Sequence, residues 1–158
     1  MSLNITIYTF SLTGQRQTVR GVDWKSVIEN WSVRKPSKEE RNQEIDQLLR
    51  DSQVWRTIAG PEVWRTEVYG SPEAKTLGLT LLPSLSQRNL DVQGAELDRL
   101  AWEIEILIQN MAVFAAITPP IIDQMSKTTK NDGMLSRFQS IANATAEAKQ
   151  LNGGVEIS

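Results

Sequence analysis

Two arginines sit where their spacing could do chemistry. Val54-Trp55-Arg56-Thr57 recurs nine residues later as Val63-Trp64-Arg65-Thr66, with Gly60-Pro61 between the copies. If both copies are strands around a Gly-Pro turn, Arg56 and Arg65 share one face, and Trp55, Thr57, Trp64 and Thr66 share the other. Two guanidinium groups side by side repel unless something neutralises them. An anionic ligand or an acidic partner would do so, and Arg56 and Arg65 are therefore candidate anion-binding residues. Glu62, Glu67 or Asp51 of the same chain could do it equally well, and such surface ion pairs are common. The first copy has a second reading as an extension of the preceding helix, because Trp55 is in phase with Leu48 and Leu49.

The remaining chemistry is carboxylate chemistry. The chain has no histidine and no cysteine. The commonest general base, the Ser-His and Cys-His nucleophile pairs and the usual structural zinc sites are thereby excluded. No phosphate-binding glycine loop, nucleophile elbow or calcium loop is present. Paired carboxylates can hydrolyse glycosides or hold Mg²⁺, and Glu96, Asp98, Glu103 and Glu105 are available. Helical spacing sets Glu96 and Glu103 on a different face from Asp98 and Glu105, so each pair reads as solvent-facing charge. No metal or cofactor is expected.

The element that carries those carboxylates also carries a third candidate. Residues 95–117 read as one long helix, with Leu97, Leu100, Ala101, Ile104, Leu107, Ile108, Met111 and Ala115 on its main apolar stripe. Trp102, Ile106, Val113 and Ile117 fall between about 140° and 200° from Leu97, on the opposite side. A helix apolar on two sides is sandwiched inside the fold or meets a partner. Core burial is the simpler expectation. The sharper one is a homodimer seam or partner face anchored on Trp102.

Around that helix the pattern predicts alternating strands and helices. Leu3, Ile5 and Ile7 alternate with polar residues in a first strand, and residues 16–20 follow the Thr13-Gly14-Gln15 turn as a second. Trp24, Val27, Ile28 and Trp31 form a stripe at i, i+3, i+4 and i+7, capped by Asp23, which predicts a core-facing helix over 24–31. Ser37 and Glu40 make a capping box for the next helix, and Ser71-Pro72 starts a short one. Residues 79–86, interrupted by Pro83, read as extended. Residues 89–93 and 155–157 read as short strands, and a last helix covers about 133–150.

The fold class expected is α+β: an antiparallel sheet of short strands with helices packed on one face, in a single domain spanning 1–158. Net charge is −2, from 17 basic and 19 acidic residues, and no Lys/Arg run occurs. That balance argues against nucleic acid and anionic membrane as partners. Cysteine-free composition and the lack of a signal pattern point to the cytoplasm. The function expected is a non-enzymatic interaction or regulatory module that binds another protein or itself. Its profile of small, acidic, motif-free α+β chain is similar to that of immunity and antitoxin proteins. The alternative is a carboxylate-dependent hydrolase acting on sugar or phosphate esters.

Overall fold

A computed structural model describes residues 2–21, 24–51, 58–118 and 130–158. Its centre is β1 (Ser2–Phe10), where alternation turns Leu3, Ile5 and Ile7 into the core. β1 pairs antiparallel with β5 (Gly154–Ile157) over Ile5–Tyr8, and β5 pairs antiparallel with β4 (Leu90–Gln93). On the other edge, β1 takes β3 (Ile58–Pro61) and then β2 (Arg16–Arg20) in succession. The order is β2-β1-β5-β4, with β3 also on β1, so the expected antiparallel sheet is present with five strands.

The helices are α1 (Trp24–Arg34), α2 (Lys38–Asp51), α3 (Pro72–Thr76), α4 (Glu96–Gln109), α5 (Met111–Ile117) and α6 (Lys130–Gln150). The caps behave as their sequences require: Ser37 Oγ accepts from Glu40 N at 3.2 Å, and Ser71 Oγ accepts from Ala74 N at 3.2 Å. α6 lies against β1, β3 and β5 and against α4. Leu97, Leu100, Ile104 and Leu107 of α4, with Met134, Phe138, Ile141 and Ala148 of α6, join Val92, Val155 and Ile157 in one buried cluster. The Phe138 ring meets Trp64, Tyr69 and Phe114 at 6.1–6.5 Å between centroids.

Three expectations need correction. The helix over 95–117 is two helices, bent by 71° at Asn110. Asn110 leaves helical geometry (φ −109°, ψ 23°), and its side-chain amide donates to Ile106 O at 2.8 Å, the local competition that asparagine offers a helix backbone. Residues 82–86 are a 3₁₀ turn rather than an extended segment, because Pro83 occupies its first turn, where a missing N–H costs nothing. The second VWRT copy is not a strand. Chain direction reverses after β3, and Arg65–Tyr69 winds as a π-helical turn closed by Gly70 N donating to Arg65 O at 2.9 Å. The first copy lies outside the described residues.

Candidate interaction surfaces

α1 forms for the reason its sequence gives, a four-residue apolar stripe, yet it does not bury that stripe. No residue of α1 is buried. Ile28 is 60% exposed, and Trp24, Val27 and Trp31 are only half-buried. This corrects the expectation of a core-facing helix. α1 turns through Lys35 (φ +51°) into α2, and Trp31 and Arg34 of α1 reach Glu44 of α2. Asp23, expected as the N-cap, lies outside the described residues.

One carboxylate fastens this hairpin. Glu44 Oε2 accepts from the Trp31 indole Nε1 at 2.6 Å, and both of its oxygens accept from Arg34 Nη2 at 2.9 Å. The Trp31 N–H, then Arg34, hold the Glu44 carboxyl below the usual carboxylate range. Above the fastening an open groove of about 390 Å³ runs between the helices, lined by Val27, Trp31 and Leu48 with Ser26, Asn30 and Gln47.

The Trp102 stripe is also largely uncovered. Trp102 is 41% exposed, Val113 43% and Ile117 38%, while Ile106 is half-buried against the core. The bend at Asn110 divides the four: Trp102 and Ile106 stand on α4, Val113 and Ile117 on α5. Arg99 shelters the indole, with Cζ 4.5 Å from the ring centroid of Trp102.

Arg65 has work inside the chain. Its Nε donates to Glu62, Nη1 to the carbonyls of Leu85 at 3.2 Å and Arg88 at 3.3 Å, and Nη2 to Asn89 Oδ1 at 2.9 Å. The guanidinium ties the π turn to the segment leading into β4. Arg56 lies outside the described residues, so the pair is not brought together here.

Of the carboxylates, Glu103 overturns its solvent-facing assignment: it is fully buried. Oε1 accepts from Thr80 N at 2.7 Å, Leu81 N at 3.0 Å, Thr80 Oγ1 at 3.1 Å and Arg99 Nε at 3.0 Å, while Oε2 accepts from Leu82 N at 2.9 Å. Burial pushes its pKa up, but the amides of Leu82, Leu81 and Thr80, with Arg99, win and hold it below the ordinary value. The helical wheel offered a signal, since Glu103 lies only about 40° from Leu107. Asp98 is paired with Lys149, and Glu105 accepts from Gln109 Nε2 at 3.4 Å. Among the described residues no three acidic side chains converge as a metal site would require.

A second polar cluster escaped sequence reasoning. On the sheet face away from the core, the Tyr8 hydroxyl donates to Asp91 Oδ1, Arg16 Nη2 donates to Asp91 Oδ2 at 2.6 Å, and the Arg16 guanidinium stacks 4.0 Å above the Tyr8 ring. Burial first, then the hydrogen bond to Asp91, raise the Tyr8 pKa. Its members come from three strands, so only the strand order unites them.

Fold and surfaces together describe an α+β chain with an open antiparallel sheet and a helical hairpin that carries an apolar stripe on α1. No protein family, curated protein or solved structure matches it. Among the described residues no single helix is long and apolar enough to cross a membrane.

Proposed function

We propose that the chain is a non-enzymatic protein-interaction module that binds through the α1–α2 hairpin. One observation carries this reading: four apolar side chains at helical spacing on α1, none of them buried. Covering Ile28, 60% exposed, is worth at most about 1.5–3 kcal/mol, and the half-buried Trp24, Val27 and Trp31 each add less. Helices of 11 and 14 residues are also marginal without a packed face. Both costs are recovered when a partner covers the hairpin. The Trp102, Val113 and Ile117 surface is a second, smaller contact area, and Ile106 anchors it to the core.

A photo-crosslinking residue at position 28, in the full chain expressed in its native host, tests the reading. Adducts to a protein chain are expected from position 28 and not from Thr76, which is exposed on a polar helix. If position 28 yields only crosslinks within the same chain, the hairpin is not a binding surface.

A further inference from the structure

We infer that the Asn152-Gly153 step is a modification site, where asparagine converts to aspartate and isoaspartate through a cyclic imide whenever the end of α6 opens. The inference stands apart from the interaction reading and uses a different part of the fold.

The fold itself dictates this dipeptide. Asn152-Gly153 is the one Asn-Gly step in the chain. α6 ends at Gln150, and Leu151, Asn152 and Gly153 carry the chain into β5. Asn152 takes a left-handed backbone (φ +51°), which among residues with a side chain favours asparagine. An added Cβ at position 153 would stand 1.9 Å from the Tyr8 carbonyl oxygen, so only glycine fits there. Glycine is also the residue whose bare backbone leaves its amide nitrogen freest to approach a neighbouring side chain. Asn152 is exposed, so water reaches its carboxamide.

The chemistry needs nothing beyond water. The Gly153 amide nitrogen loses its proton and bonds to Cγ of Asn152. The side-chain nitrogen leaves as ammonia and takes up the proton that Gly153 gave. Water then opens the imide. Attack at Cγ yields aspartate, and attack at the main-chain carbonyl yields isoaspartate, in which the chain runs through the side chain.

In the folded state the nucleophile is held. Gly153 N donates to Ala148 O at 2.9 Å and Asn152 N to Lys149 O at 3.3 Å, the double closure of a helix C-terminus. The proton that must leave is the one in the Gly153 bond. Amide exchange and imide closure therefore share an opening step, and both track the open population when opening is fast. The isoaspartyl product lengthens the main chain by a methylene between α6 and β5. Val155 and Ile157 follow at once, buried, with β5 held between β1 and β4. So short a connection has no slack for the extra carbon, and an opened chain that reacts does not reseat β5 in register. The site is a one-way recorder of opening.

Incubation of the full chain in mildly alkaline buffer, folded and in urea, with peptide mapping at position 152, tests this. Conversion is expected in both. In the folded chain it is slower by the protection that hydrogen exchange measures at the Gly153 amide, to within about tenfold. Lys149→Gly, at an exposed position in the last turn of α6, raises the folded-state rate at least about fivefold. Asn152→Gly keeps the left-handed backbone and abolishes conversion. The purified isoaspartyl chain melts at least about 5 °C lower than the unreacted one. Asn152→Asp, with the charge but not the longer backbone, loses less than half as much. Equal rates in the folded and unfolded chains overturn the gate. A folded chain that stays unconverted while its Gly153 amide exchanges freely overturns the site. An isoaspartyl chain with an unchanged Tm overturns the one-way step.

Discussion

Exchanging Glu103 for glutamine probes how a fully buried charge is tolerated in this fold. The side chain keeps its size and loses its charge. Its carboxylate receives three consecutive backbone amides, the Thr80 hydroxyl and the Arg99 guanidinium. With the amide oxygen placed where Oε1 lies, the NH₂ group faces Leu82 N, and that backbone donor loses its acceptor at a cost of about 1–3 kcal/mol. The remaining bonds fall from charge-assisted to neutral strength, about another 1 kcal/mol in sum. Glu103→Gln is therefore expected to destabilise the chain by about 3 kcal/mol near pH 7, a fall in Tm of roughly 6–12 °C. The pH dependence supplies a second signature. The folded carboxyl titrates below its ordinary value of 4.5, so the folded state binds fewer protons than the unfolded state in that range. The stabilisation is complete above the unfolded pKa and is lost as pH falls through the folded one. The wild-type advantage over Glu103→Gln should thus be constant from pH 8 to about 5.5 and shrink towards pH 3. Urea unfolding of both proteins across that range measures it. A glutamine variant within about 1 kcal/mol of wild type at pH 7, or a gap that persists at pH 3, refutes the reasoning.

Further expectations concern the sheet and the π turn. Tyr8 and Tyr69, the chain's two tyrosines, both have raised pKa values, chiefly through burial. Their folded states hold protons that the unfolded chain releases, so stability declines above about pH 10, and absorbance at 295 nm should show tyrosinate only as the chain unfolds; a native-state transition near the ordinary value of 10.0 contradicts this. At Gly154 an added Cβ would stand 2.3 Å from the Tyr8 hydroxyl. Gly154→Ala should cost about 1–3 kcal/mol in thermal unfolding, and Tyr8→Phe in the same background should not relieve all of it, because the ring carbon is 2.4 Å away. Arg65→Ala leaves the carbonyls of Leu85 and Arg88 without this donor and should cost about 2 kcal/mol, with faster hydrogen exchange across residues 85–90; unchanged exchange there would mean the guanidinium is not what holds the segment. Trp102→Glu, at a 41% exposed site, should cost no more than about 1 kcal/mol, and a loss of folding would show the indole to be core.

Local patterns were the legible part of this fold. Alternation in residues 3–7 declared β1 and its buried face, and Ser37 and Ser71 announced the helices they cap. Val155-Glu156-Ile157 showed a strand but not that it enters the middle of the sheet, since strand order is a long-range choice that periodicity does not encode. The stripe on α1 stated its amphipathicity correctly and its burial wrongly, because periodicity names the apolar face without naming what covers it. Glu103 was misread for a related reason. A single acidic residue beside an apolar stripe looks solvated until the opposing loop is known to present its bare amides. The repeat at Arg65 misled because two identical tetrapeptides invite one structure, whereas Arg65 of the second copy donates to Glu62, the Leu85 and Arg88 carbonyls and Asn89 Oδ1 from within a helical turn. The Trp102 side was legible as a second stripe, but the bend that splits it falls at Asn110, a single residue inside an otherwise continuous helical pattern.

β5 is the strand through which β1 and β4 are joined, and Asn4 and Ser158 close its far end with reciprocal backbone bonds of 2.7 and 3.0 Å. β1 therefore waits for a strand that follows it by most of the sequence. Until residues 154–157 leave the ribosome, β1 and β4 have no common neighbour, and their free edges and inward-facing Ile5, Ile7, Leu90 and Val92 stay unmatched. Closure across so long a loop is slow on the scale set by contact order. For a growing chain this is a vectorial delay: the sheet closes only once residues 154–157 have emerged, and a polypeptide halted before β5 presents unjoined strand edges, the form most open to pairing with another chain.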